Sequence, residues 1–180
     1  VYKRQEYENT VFLDYPNLEV KRAMAQLYTE LLLRGKVAGQ VGAGDIVRVL
    51  NNDDPEEVFH IFNRLFTAID YQNYPVVDEA SVRAFIQVYL AGAGLDPKVE
   101  RHNAHGRSDL EVKVGARLWV FELKTAYEGK SADAALQEAV GQLTSRRYGE
   151  QYAAEKLERV AFVFSLSGRR FDRWAAVPET

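Results

Sequence analysis

Two acids and a lysine, Asp109, Glu122 and Lys124, carry the residue types and spacing that could do chemistry in this 180-residue chain. They fall on two segments with alternating character. Ser108-Asp109-Leu110-Glu111-Val112-Lys113-Val114 alternates polar and apolar, and the stretch from Arg117 to Lys124 does so less strictly. Between them, Gly115-Ala116 suits a two-residue type II′ turn, with glycine at the first central position. In that register Val114 faces Arg117, Val112 faces Trp119 and Leu110 faces Phe121, so Asp109 is predicted directly opposite Glu122. Period two places Lys124 on the same face as Glu122. Opposed carboxylates repel unless a cation lies between them, and a hard divalent ion such as Mg²⁺ suits two carboxylates. A solvated strand face produces the same Glu-x-Lys pattern. On the hairpin residues alone that plainer reading stays open, and it is the commoner of the two.

The elements that must position this hairpin are legible around it. Val20, Ala23, Met24, Leu27, Tyr28, Leu31 and Leu32 recur at three and four, predicting an amphipathic helix that Gly35 ends. A short helix is predicted near Asp45–Leu50. Asp53-Asp54-Pro55-Glu56-Glu57 is a helix start, with an acidic cap, an early proline and carboxylates at the positive end of the dipole. Val58, Phe59, Phe62, Leu65, Phe66 and Ile69 continue it as a buried helix, on which His60 reads as a packed or surface residue. The polar stretch from Asp70 to Pro75 marks the expected domain boundary, giving a helical segment over 1–70 and an α/β domain over 71–180. Asp78 is placed to cap a helix from Glu79 to about Ala91. Lys98–Asn103 reads as a strand preceding the hairpin. Ala132–Ala153 reads as a helix. Arg159–Leu166 is nearly all apolar, as a strand covered on both faces is. The order α-β-β-β-α-β predicts an α/β sandwich around a mixed central sheet flanked by helices.

Gly106-Arg107-Ser108-Asp109 followed by Phe121-Glu122-Leu123-Lys124 resembles the signature of the PD-(D/E)XK nuclease superfamily. It most resembles the branch found in bacterial proteins C-terminal to an AAA-type ATPase domain. That branch has a helix, a strand with a glutamate, Gly-Arg-x-Asp, a hydrophobic strand ending Glu-x-Lys, and a helix with a glutamine and tyrosines. Here these parts are the helix from Glu79, Glu100, Asp109, Glu122 with Lys124, then Gln142 and Tyr148, over roughly residues 75–175. Tyr15-Pro16-Asn17-Leu18-Glu19-Val20 resembles the segment joining ATPase and nuclease in the same branch. Ser108 departs from the usual proline or aliphatic residue before the aspartate.

The resemblance implies a restriction-endonuclease-like core and metal-dependent cleavage of nucleic acid, DNA ahead of RNA. It implies Asp109 and Glu122 as ligands of Mg²⁺ or Mn²⁺, the backbone carbonyl of Leu123 as a third, and Glu100 as an additional acid. Lys124 fits a group that orients water and meets developing negative charge. Gln142 lies at the edge of its helix's apolar stripe, and in the family this position helps hold the substrate or the lysine. Arg107 falls opposite Lys124 in the predicted register, where a phosphate contact and a structural ion pair are both open. Glu79 at a helix start is favourable for dipole reasons alone. Tyr148 and Tyr152, four apart, read as packing, and Trp119 and Phe121 as core.

Composition bounds these readings. Apolar and charged fractions are those of an ordinary globular protein. No apolar run approaches the roughly 18 residues that span a bilayer, and no secretory signal is visible. The absence of cysteine excludes disulfides and thiolate metal sites and fits the cytoplasm. A net charge of −3 counts against extensive nucleic-acid contact over the whole surface. Arginines do cluster locally: Arg101 and Arg107 with His102 and His105, then Arg146-Arg147, then Arg169-Arg170 with Arg173. No Walker-type phosphate loop occurs, so ATPase chemistry is expected only from sequence upstream. Val1-Tyr2-Lys3-Arg4-Gln5, without an initial methionine, is set aside from fold reasoning, and the chain is expected to be the C-terminal part of a longer one. Two further readings stand beside the nuclease: a degenerate member of the same fold with a binding or regulatory role, and an unrelated α/β interaction domain with a solvated hairpin.

Overall fold

The computed structural model describes residues 4–7, 10–13, 17–33, 43–103, 106–145 and 156–178. Five strands form one mixed sheet in the order β3-β4-β5-β6-β7: β3 (Lys98–Asn103), β4 (Gly106–Val114), β5 (Arg117–Ala126), β6 (Lys156–Ser165) and β7 (Arg170–Val177). β5 and β6 are parallel and the other neighbours are antiparallel. Helix α5 (Ala132–Ser145) makes the crossover between the parallel pair. Helices α1 (Leu18–Leu32), α2 (Ala43–Asn52), α3 (Pro55–Ala68) and α4 (Glu79–Gly92) precede the sheet. This is the α/β architecture with a mixed central sheet and flanking helices that the element order predicts.

Each strand presents one face to each helical layer. Leu110, Val112, Trp119, Phe121, Leu123, Phe162 and Phe164 point to the side of α2, α3 and α4. Phe62 of α3 meets Phe121, Phe162 and Phe171 with ring centroids 5.6–6.1 Å apart. The indole N–H of Trp119 donates to the Leu50 carbonyl at 2.9 Å, tying α2 to the sheet. The opposite face, with Leu118, Val120 and Ala161, packs on Ala139 and Leu143 of α5. Helices on both sides of residue 70 therefore line one continuous core.

Strand β7 has no counterpart in the sequence-predicted order. The Asn63 side chain donates to the Phe171 carbonyl at 3.1 Å and accepts from the Phe171 N–H at 2.7 Å. An amide on α3 thus pairs with the backbone of this edge strand. Of the opening residues set aside above, Arg4 and Gln5 lie in a two-stranded hairpin of β1 (Arg4–Tyr7) and β2 (Thr10–Leu13). Helix α5 is described to Ser145, and Arg146, Arg147, Tyr148 and Tyr152 lie outside the described residues.

The hairpin turn forms as its residues dictate. Gly115 has φ 60°, while Ala116 is not among the positive-φ residues, which is the type II′ pattern. The cap of α4 matters to the site, because it fixes the first turn that carries Glu79. Asp78 accepts from the Ser81 N–H at 2.8 Å, and the Ser81 hydroxyl stands 3.1 Å from the Asp78 N–H, a reciprocal capping box. Asp78→Ala is expected to lower stability by about 1 kcal/mol in denaturant titrations. The Ser81 backbone N–H holds the Asp78 carboxyl below its ordinary value of 3.8. The loss should therefore be full above that value and fade as pH falls through the lower, folded-state pKa.

Candidate active site

The predicted register holds from Val114↔Arg117 to Leu110↔Phe121 and stops there. The next two positions are Asp109 and Glu122, which are not ladder partners, contrary to the sequence expectation. The cause is the aspartate itself. Its Oδ2 accepts the Leu123 N–H at 2.8 Å, so a side chain occupies a donor that a continuing ladder would use. Arg107 is likewise not opposite Lys124, because the β4–β5 ladder ends short of it and its partner is His102 of β3.

Period two puts Glu122 and Lys124 on the side of β5 that carries Leu118 and Val120, and Asp109 is tied to β5 through the Leu123 N–H. All three are buried. Lys124 Nζ lies 3.1 Å from Glu122 Oε1 and 3.7 Å from Glu79 Oε1. Glu79 therefore joins the site from α4 as well as opening its helix. Four residues later on the same helix face, Arg83 places Nη1 3.3 Å from Asp109 Oδ1. Three carboxylates and two cations are interleaved here: Arg83–Asp109 joins α4 to β4, Glu79–Lys124 joins α4 to β5, and Glu122–Lys124 lies within β5.

This interleaving decides protonation. Burial disfavours the charged form of Glu79 and raises its pKa, against the opposing pull of Lys124. Burial also disfavours the Lys124 ammonium, but Glu122, Glu79 and Asp109 together outweigh it, so its pKa rises and it stays cationic. Lys124 is thus suited to stabilising negative charge rather than to accepting a proton.

The remaining sequence candidates are placed as follows. Glu100 lies in β3 between Val99 and Arg101, which pair with Leu110 and Ser108, so its backbone runs beside Asp109. Gln142 is half-buried on α5, one turn beyond Glu138, whose carboxylate the Lys124 charge reaches. Among the described residues the Gln142 side chain bonds to none of Asp109, Glu122 or Lys124. Ser108 is buried and donates its hydroxyl to Glu111 Oε1 at 2.7 Å. In the third arginine cluster, Arg170 pairs with Asp172 and Arg173 with Asp133, while Arg169 stacks over Tyr71. Arg83 is the site residue that sequence reasoning missed. Its signal was the i, i+4 spacing from Glu79.

The donor set can be tested against a metal ion. Among the described residues no three acids or histidines converge to hold one ion. A cation here would rest on Asp109 and Glu122 with backbone oxygen and water, which fits Mg²⁺ better than an ion requiring an all-protein cage. Both carboxylates are buried hard oxygen donors in one cluster of ion pairs, so the residues present fit the group.

A mixed sheet between helical layers, carrying two buried acids and a charged lysine where β4 and β5 part, has the core order that the sequence resemblance implies. The comparison with known families agrees. Residues 77–174 match the PD-(D/E)XK nuclease superfamily, and the chain belongs to that superfamily. A protein of Azotobacter chroococcum mcd 1, described as an uncharacterized protein in the vnfD 5′ region, is 28% identical over 163 residues. That alignment covers 87% of this chain and 31% of the relative, so the chain spans about a third of the relative's length. No solved structure matches. Among the described residues no helix is long and apolar enough to cross a membrane.

Proposed function

We propose that this chain is a metal-dependent nuclease domain that hydrolyses phosphodiester bonds in nucleic acid, DNA ahead of RNA. The observation that carries this reading is the buried Lys124 ammonium held between Glu122 and Glu79, with Asp109 bound to the same strand through the Leu123 N–H. Asp109 and Glu122 would hold Mg²⁺ or Mn²⁺, with the Leu123 carbonyl as a third donor and Glu100 as an additional acid. When bound, the ion supplies Lewis acidity at phosphorus and acidifies water. Lys124 orients the attacking water and meets charge developing on the phosphoryl oxygens. Arg107 and Gln142 contact the substrate. The domain works in the cytoplasm within a longer bacterial protein, and the segment over residues 1–70 is the end of an upstream AAA-type ATPase or linker region.

A regulatory module on the same fold is the second reading. It is favoured by the net charge of −3 and by the local pairing of Arg170 and Arg173, which leaves less cationic surface for a polyanion. Calorimetry and cleavage assays separate the two. The nuclease reading expects heat on Mn²⁺ titration and EDTA-sensitive cleavage of DNA. Mn²⁺ that leaves both the calorimetric trace and the melting curve unchanged would sink it.

A further inference from the structure

The cation on Asp109 is supplied by a helix, and its geometry bears on how the site takes up an ion. Asp109 Oδ2 is fixed by the Leu123 N–H, so the carboxylate has one defined orientation. That orientation aims Oδ1 at Arg83, 3.3 Å away. Both side chains are largely withdrawn from water, at 16% and 10% exposure, so the pair is weakly screened. Lys124 is already engaged by Glu122 and Glu79. Arg83 is therefore the cation in direct contact with Asp109, at the oxygen left open by the Leu123 N–H.

We propose that Arg83 stands in for the divalent ion in the ion-free site and becomes a phosphate-binding residue once the ion takes Asp109. This inference rests on the nuclease reading above. Two cations on one carboxylate oxygen repel, so ion binding weakens the Arg83–Asp109 contact. The guanidinium face released from Oδ1 can then meet a substrate phosphate. Its planar fork matches phosphate oxygens, and it remains charged at any working pH. The device keeps the acids neutralised before ion and substrate arrive, and it couples ion loading to a new phosphate contact.

The test is titration of Mn²⁺ alone into wild type and Arg83→Met, followed by cleavage. Removing the competing cation should tighten Mn²⁺ binding on the order of tenfold while cleavage falls. A purely structural arginine would give weaker or unchanged binding on substitution, and that result with a folded protein overturns the inference. Arg83→Lys covers the case in which the methionine variant does not fold. It keeps the charge, so Mn²⁺ affinity should stay near wild type, while loss of the fork should lower cleavage. Wild-type cleavage by Arg83→Lys would overturn the phosphate role. Mn²⁺ binding by the wild type without tightening in Arg83→Met defeats this inference alone. Failure of both proteins to bind Mn²⁺ defeats it together with the nuclease reading.

Discussion

Lys124→Met is expected to reduce cleavage by at least 10²–10³-fold, roughly the cost of removing one preorganised donor from a transition state. It is also expected to lower stability in ion-free buffer. From the sequence alone, a lysine beside the acids acts on the reaction and leaves the fold intact. The structure adds a second role. Glu122 is 2% exposed and its Oε1 is met by Lys124. Removing one partner of a buried pair costs about 3–5 kcal/mol, because the other charge is left uncompensated. Glu79 is about a third exposed and relaxes more easily toward water. Mn²⁺ should therefore recover part of the melting temperature of Lys124→Met without recovering cleavage. Cleavage that survives at the wild-type level would identify a contaminating nuclease. Loss of cleavage without any change in melting would show that Lys124 does not balance Glu122.

How far the site was legible follows from which forces are local. The turn at Gly115-Ala116 and the apolar pairs Leu110/Phe121 and Val112/Trp119 depend on turn chemistry and period two, both written in adjacent residues. The same is true of Asp78 and Asp54 as caps, since each accepts an N–H three residues ahead. The departure of the strands at Asp109 depends on a competition between a carboxylate and a carbonyl for the Leu123 N–H, and no pattern of residue types announces its outcome. Arg83 reads as a polar position on an amphipathic helix until α4 is docked against β4 and β5. Strand β7 carries charges at Arg170, Asp172 and Arg173 and is anchored by Asn63, far away in sequence. Its signal lies in that long-range amide pairing, and its own alternation is weak.

Asp109→Asn separates two opposite views of the same acids. If repulsion between Asp109 and Glu122 dominated the ion-free site, removing one charge would raise stability. The structure reverses that sign. Asp109 is engaged by Arg83 on one oxygen and by the Leu123 N–H on the other. Asparagine can keep the backbone bond through its single oxygen. Its amide nitrogen then faces Arg83, donor against donor, in a largely buried position. The expected result is a loss of about 2 kcal/mol or more in ion-free buffer, below the full cost of a buried pair because Arg83 keeps some exposure. Mn²⁺ binding and cleavage should be lost with it. The double variant Asp109→Asn/Arg83→Met removes the donor-against-donor contact, so it should be more stable than Asp109→Asn alone. The coupling from that cycle measures the pair directly, since the two residues touch and their effects should not add. A single Asp109→Asn protein that melts above wild type without metal would mean that repulsion governs the site and that Arg83 does not neutralise it.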